Sequence, residues 1–392
     1  MTDKLKPKIL VLSDYYLPGY KSGGGMRTIV NMVDRLHNRF DFHIITRDHD
    51  GPLDKEPYKT VNIGEWNNIS NAKVYYLHKD TVTFSKLREL ILEVQPDSIY
   101  TNSYFATLAI YMLTLKKLRR VANHNVIVAP CGELSEGALS LKAGKKKAFL
   151  GISKMLNLYE DITWKASNAE EKSEIEKVKG RGGKIFIAPD LTPKIIFEDY
   201  DQRQKPEKIV GETRMIFLSR FSAKKNFKWL LENLKNVQGK LIIDIYGPLE
   251  DEDYWQNCTE TIKTLPPNII IEAKGTIPHE EVSETLLHYD FFILPTLGEN
   301  FGHVFLEALA AGCPLVISDR TPWIDLEKKG IGWDISLNSP QVWVDKLNDC
   351  IKMDNITYSK LSANSREFVC EWLKDSKLEE DTLRVLEHSL SR

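Results

Sequence analysis

The chain has 392 residues, 42% of them hydrophobic and 28% charged, with a formal net charge of −2. That composition describes a soluble globular protein, and the absence of a global charge bias excludes nucleic acid as its general partner. At about 150 residues per domain the length suggests two or three domains, and two is the simpler division.

The N-terminus runs through Lys4, Lys6 and Lys8 into Ile9-Leu-Val-Leu12, an apolar run too short for a signal peptide. No apolar run approaches the roughly 20 residues of a membrane span. The cysteines at 131, 258, 313, 350 and 370 form no C-x-x-C pair and are odd in number. They favour a reducing cytoplasm over a disulfide scaffold or a zinc site.

In chain order, Lys8 to Ser13 reads as a buried strand, Tyr15 to Gly25 as a loop with one proline and four glycines, and Met26 to Leu36 as a helix. Further strands are expected at 41–46, 72–77, 97–101 and 125–129, with helices at 86–94 and 107–120 between them. The pattern restarts after a polar, proline-containing stretch at 189–208. Strands are then expected at 213–219, 240–246, 268–273, 291–295 and 315–318, with a helix at 227–234. A last helical stretch runs from Leu361 to Ser389. Alternating strands and helices in two sets predict an α/β protein of two Rossmann-like, doubly wound domains facing a central cleft. The boundaries are set at 1–192 for the first domain, 193–365 for the second, and 366–392 for a helical segment packing back on the first domain.

The stretch from Pro295 to Gly312 holds two carboxylates among apolar residues. Glu299 falls on the loop after a strand, where such sheets bind ligands. Glu307 falls in an apolar helix expected from Phe305 to Ala311. A carboxylate beside Phe305, Leu306, Ala308 and Leu309 needs hydrogen-bonding partners, which the vicinal hydroxyls of a ribose would supply. The backbone N–H groups of Asn300, Phe301 and Gly302 at the helix start favour an anion. The alternative is that Glu307 pairs with a nearby Arg and Glu299 is an N-cap. His303, at the helix N-terminus, either donates a hydrogen bond from a neutral ring or caps the surface.

Arg220 and Lys225 follow the first strand of the second set. They offer fixed cations to a departing diphosphate, or form a solvated basic turn with Lys224 and Lys228. Gly23, Gly24 and Gly25 let the backbone approach phosphates closely but do not form the G-x-G-x-x-G fingerprint. Asp48-His49-Asp50 imitates a metal-binding D-x-D and is read as a solvated loop, because Arg220 and Lys225 already supply countercharge. No metal site is expected.

From Glu299 to Pro314 the chain resembles the E-x7-E signature of retaining glycosyltransferases of family 4, the group 1 enzymes with the GT-B fold. Phe217 to Phe227 resembles that family's Gly-Arg-Leu-x-x-x-Lys-Gly element, with Arg220 and Lys225 on its basic positions. Asp14 to Met26 resembles its N-terminal Gly-Gly loop.

The resemblance implies metal-independent transfer of a sugar from a nucleotide sugar to a glycan or lipid-linked glycan in surface polysaccharide biosynthesis, with no cofactor. A UDP-sugar is favoured over a GDP-sugar. It implies Glu299, Arg220 and Lys225 as catalytic, and Gly24, Gly25, Asn300, Phe301, Gly302, His303 and Glu307 as donor-binding. Cys131 stands where the family often has a histidine. The segment Pro130-Cys-Gly-Glu133 is closer to a Pro-Arg-Gly-Glu-like subset, which makes Cys131, Gly132 and Glu133 acceptor-side residues. A sugar-nucleotide epimerase or phosphorylase of the same fold, or a non-catalytic partner subunit, remains open.

From Tyr104 to Phe186 there are 15 Lys or Arg against 8 Asp or Glu. Segments 110–120 and 141–150 join apolar and basic residues, and either dock on an anionic membrane from the cytoplasm or are core helices with solvated lysines.

Overall fold

The computed structural model describes residues 6–51, 54, 56–121, 124–140, 143–193 and 205–391. Two compact units emerge, one of residues 1–194 with 376–392, the other of residues 195–375.

The first unit holds an eight-stranded sheet. Its strands are β1 (Lys8–Leu12), β2 (Asp41–Arg47), β3 (Trp66–Ile69), β4 (Ala72–Leu77), β5 (Ser98–Thr101), β6 (Asn125–Val128), β7 (Thr163–Ala166) and β8 (Lys184–Ile187). They lie in the order β3-β4-β2-β1-β5-β6-β7-β8, parallel except for the β3–β4 pair. From β1 the chain moves outward through β2 to β4 and then returns to β5 on the other flank of β1. The strand order therefore reverses between β1 and β5, where Leu12 is in register with Thr101.

The second unit holds β9 (Glu212–Leu218), β10 (Lys240–Tyr246), β11 (Ile269–Gly275), β12 (Phe291–Leu294), β13 (Leu315–Ser318) and β14 (Gly332–Ile335). All are parallel, in the order β11-β10-β9-β12-β13-β14. Here the order reverses between β9 and β12. Strands such as Phe291-Phe-Ile-Leu294 and Leu315-Val-Ile-Ser318 are buried throughout, as parallel strands covered on both faces must be. Both units are doubly wound.

The C-terminal stretch differs from expectation, since it is two helices that serve two units. Asn355–Lys374 belongs to the second unit and starts at an N-cap in which Asp354 accepts from Thr357 N at 2.7 Å. The chain leaves helical geometry at Asp375, and Lys377–Leu390 then buries Leu378, Val385 and Leu386 on the first unit. Asn125 Nδ2 donates to Ser389 O at 2.5 Å. The segment that returns thus begins at residue 376, and not at 366. Asp and Ser favour helix ends over helix interiors, which explains the break.

The basic segment 110–120 is largely a core helix. In Thr107–Lys117 the side chains Leu108, Met112, Leu113 and Leu115 are buried, while Lys117 pairs with Glu160 at 3.1 Å. Of segment 141–150, residues 141 and 142 lie outside the described residues, and the rest begins the helix Ala143–Met155.

Candidate active site

Two loops meet at the reversal point of the second sheet. The first leaves β9 through Ser219, Arg220 and the buried Phe221, and then makes a 3-10 turn at Ala223–Lys225. Asn226 ends that turn in the left-handed region with φ 58°. The loop after β10 crosses so closely that a Cβ at Gly247 would lie 2.0 Å from Ser219 O. Only glycine fits there.

The second loop leaves β12 and is stitched to its neighbours on both sides. Leu297 N donates to Lys224 O at 2.9 Å, and Glu299 N donates to Arg320 O at 3.1 Å. Ser318 Oγ donates to Thr296 O at 2.5 Å.

This framework brings Lys225 Nζ to 2.5 Å from a Glu299 carboxylate oxygen, with both side chains largely buried. Burial pushes the Glu299 carboxyl up, but the charge and hydrogen bond of Lys225, aided by Lys224 and Arg220, outweigh it and hold the group below the usual range. Glu299 is therefore ionised at neutral pH, and it is an ion-pair partner, not an N-cap. Lys225 is no solvated lysine. Arg220 is 45% exposed at its side chain and pairs with Glu250 at 3.0 Å. A pair that exposed is weak and open to exchange with an incoming anion.

Past Glu299 the chain turns into the helix His303–Ala310, which starts two residues earlier than the apolar pattern indicates. Gly302 is its N-cap, in the left-handed region with φ 84°, and has no side chain with which to cap the helix. No acidic residue occupies the first turn, so the positive end of the helix is unneutralised from within that turn. Phe301 is buried, and its carbonyl accepts from Trp323 Nε1 at 2.6 Å. That contact ties the helix start to an aromatic cluster in which Trp323 stacks on Trp372 at 5.4 Å. The ring of His303 lies 4.8 Å from that of Phe301. Glu307 is half-buried, as its apolar neighbours imply, and stands 3.7 Å from His279 Nδ1.

The first unit builds a second set of loops at its own reversal point. Asp50 is buried and accepts from Tyr20 N at 2.8 Å and Lys21 N at 3.1 Å. The hydroxyl of Tyr76 donates to Leu17 O at 2.5 Å, and a Cβ at Gly19 would lie 2.3 Å from Tyr58 Oη. The approach to the glycine turn is thereby pinned. Gly23 takes φ 77°, and Gly24 and Gly25 begin the helix Gly24–Leu36. The reading of Asp48-His49-Asp50 as a solvated loop is corrected here. Asp48 is buried beside His49 Nδ1 at 3.0 Å, and Asp50 holds the glycine loop.

Asn102, at the end of β5, connects this turn to the next. Its Nδ2 donates to Gly25 O at 2.7 Å, and its Oδ1 accepts from Cys131 Sγ at 3.0 Å. Cys131 and Gly132 both have left-handed backbone, φ 53° and 76°. Glu171 fixes that turn by accepting from Gly132 N at 2.6 Å and Ser167 N at 2.7 Å. Burial, then Asp190 and Glu171, push the Cys131 thiol well up, which makes it a poor nucleophile. The Glu133 carboxylate accepts from Ser103 Oγ at 2.9 Å, Tyr104 N at 2.6 Å and Phe105 N at 3.1 Å. Glu133 thus anchors the loop before helix Thr107–Lys117, a use the acceptor-side expectation did not include. Asn102, Glu171, Glu250 and His279 escape the sequence reading, and Asp50 is misread by it, because each matters through a partner distant in the chain.

Among the described residues no group of three or more His, Cys, Asp or Glu is placed to hold a metal ion. Among the same residues no helix is long and apolar enough to cross a membrane.

Comparisons agree with this arrangement. Residues 199–368 match the family described as "Glycosyl transferases group 1". The O-antigen biosynthesis glycosyltransferase WbnH of Escherichia coli is 23% identical over 299 residues, covering 76% of this chain and 78% of WbnH. Sucrose-phosphate synthase of Thermosynechococcus elongatus superposes with a TM-score of 0.71 at 16% identity, covering 98% of this chain and 100% of that one. HepE of Anabaena, in complex with UDP-glucose, superposes with a TM-score of 0.67 at 15% identity, covering 98% and 100%. The chain therefore has the GT-B fold and, over residues 199–368, the loops that carry Lys225, Glu299 and Glu307 included, is similar to group 1 glycosyl transferases.

Proposed function

We propose that the protein is a retaining glycosyltransferase. It moves a sugar from a nucleoside diphosphate sugar, with UDP favoured as nucleotide, to a glycan or lipid-linked glycan acceptor in surface polysaccharide biosynthesis. The observation that carries this reading is the Lys225–Glu299 pair, which places an ionised carboxylate and a cation together where the strand order reverses and near a helix start with glycine as its N-cap. HepE with bound UDP-glucose and the O-antigen role in the name of WbnH support the donor and the pathway class.

In this reading Lys225 and Arg220 meet the diphosphate, and the N–H groups of residues 300–302, with His303, meet the donor. Glu299 accepts from hydroxyls of the transferring sugar, and Glu307 from those of the ribose. The bond from the anomeric carbon to the β-phosphate oxygen breaks while the acceptor oxygen bonds to the same face. The acceptor proton passes to the departing phosphate. Fixed cations stabilise that phosphate more as its charge grows, so they lower the barrier as well as bind the ground state. Two side-chain cations take the part a metal plays elsewhere, and turnover is metal-independent. Five free cysteines support residence in a reducing cytoplasm.

The test is a thermal-shift screen of the purified chain against UDP-, GDP- and ADP-sugars, followed by product analysis by NMR with and without EDTA. One UDP-sugar should stabilise the fold by mass action, and the product should keep the donor's anomeric configuration with EDTA present. If no nucleotide sugar stabilises the chain and none is consumed, the reading fails.

A further inference from the structure

The helix Ala143–Met155 carries apolar side chains on two opposite sides. Its inward side holds Phe149, Leu150 and the buried Ser153. Lys146 reaches inward as well, donating from Nζ to Ala138 O at 2.6 Å and lying 5.2 Å from the centre of the Phe105 ring. A surface helix is complete with one such side.

On the other side Ala148, Gly151, Ile152 and Met155 stand at the i, i+3, i+4, i+7 positions of a helical stripe, and all are exposed. Ile152 is 52% exposed, Met155 74%, and Leu156, just past the helix end, 51%. At about 100° per residue, Lys147 and Lys154 flank this stripe on one side and Lys145 on the other. All three lysines are exposed. No Asp or Glu occurs between Glu136 and Glu160. An apolar ridge between rows of cations, with no acid near in sequence, is thus turned to solvent.

We propose that this face docks on the anionic surface of a lipid bilayer, with Ile152 and Met155 entering the acyl boundary and Lys145, Lys147 and Lys154 meeting the headgroup phosphates. The chemistry selects lipid over protein. The ridge has no aromatic side chain or arginine to anchor a protein interface, and lysine is depleted in such interfaces. Flexible lysines beside an aliphatic ridge instead match the depth profile of a bilayer interface. Helix Thr107–Lys117 contributes no such ridge, since its apolar side chains are core. The proposal stands apart from the transferase reading, because its test measures binding alone.

The experiment is co-sedimentation of the full chain with vesicles of phosphatidylcholine, alone or mixed with phosphatidylglycerol, at low and high salt. The protein should pellet with the mixed vesicles at low salt and stay in solution with phosphatidylcholine alone. Replacing the three lysines with glutamine should weaken binding on the order of a hundredfold, at roughly fivefold per lysine. Ile152→Ser with Met155→Ser should weaken it roughly tenfold or more, with an unchanged melting curve because both side chains are exposed. Failure of the wild type to bind mixed vesicles overturns the proposal, as does a serine variant that binds equally well. A dimer that the serine variant converts to monomer, with no vesicle binding by either, overturns it in favour of a second copy of the chain.

Discussion

Lys225 Nζ lies 2.5 Å from the carboxylate of Glu299 although 74 residues separate them in the chain. Neither side chain sets this distance by itself. The backbone bond from Leu297 N to Lys224 O fixes the two loops relative to each other, and both loops leave adjacent strands of one sheet. The pair is thus preorganised, which is the property that electrostatic catalysis requires.

Removing Lys225 leaves a largely buried carboxylate without its countercharge. Lys225→Met is expected to lower stability by about 1–3 kcal/mol in urea unfolding, the range for a lost hydrogen bond to a charged buried group. Turnover should fall by roughly 10²-fold or more, as on loss of one aimed donor elsewhere. Glu299→Gln keeps the shape and removes the charge, so it should lose turnover while the fold survives. Turnover within a few-fold of wild type in Glu299→Gln would remove the carboxylate from the mechanism.

The same pair predicts a pH dependence with a definite sign. The folded-state pKa of Glu299 lies below the ordinary glutamate value of 4.5, because Lys225 outweighs burial. Its contribution to stability is therefore fully present above about pH 4.5 and is lost as pH falls through the folded value. Buried Glu133 and Glu171 have raised values and act in the opposite direction, losing stability as pH rises through theirs. Comparing wild type with Glu299→Gln cancels those terms. The stability difference between the two should be constant near neutral pH and shrink in acid, and a gap that widens in acid would contradict the assigned direction.

Much of the fold is legible in the sequence, because β1, β9 and β12 carry the unbroken apolar runs Ile9–Leu12, Met215–Leu218 and Phe291–Leu294. The strands that escape do so for physical reasons. β7 is Thr-Trp-Lys-Ala, and its Lys165 is buried only because Asp190 pairs with it from beyond β8. β14 opens on a glycine, and β3 is a short polar antiparallel strand at the sheet edge. For the site, the positions of Glu299, Arg220 and Lys225 after strands and of Glu307 within an apolar helix can be read locally, while their roles come from the family resemblance. Their partners cannot. Glu250 reaches Arg220 from the loop after β10, and His279 reaches Glu307 from the start of another helix, contacts that only the packed sheet creates. Asp50 misleads in the other direction, since a polar Asp-His-Asp run looks solvated until Tyr20 and Lys21 are found folded over it.

That burial makes Asp50 a test of the glycine loop. Asp50→Ala removes the acceptor for two backbone N–H groups and is expected to lower stability by about 1–3 kcal/mol. It should lower transfer activity beyond what the unfolded fraction explains, because the turn at Gly23 to Gly25 loses its approach. Asp50→Asn retains one acceptor oxygen and should fall between. Equal activity in all three proteins at matched folded concentration would show that the loop's shape is set elsewhere.

The Arg220–Glu250 pair gives the opposite kind of prediction, in which removing a contact improves binding. Glu250 occupies one edge of the guanidinium in the unliganded chain, and a diphosphate must share or displace it. An exposed pair is worth about 0.2–1 kcal/mol, so displacement costs a donor little but not nothing. Glu250→Gln should therefore lower the donor KM by about 1.5- to fivefold at low salt, with kcat nearly unchanged and the effect fading as salt screens the pair. Arg220→Ala in the same background should reverse the gain, since Glu250 is argued to act only through Arg220. A rise in KM on Glu250→Gln would mean that Glu250 orients the guanidinium for the phosphate instead of competing with it.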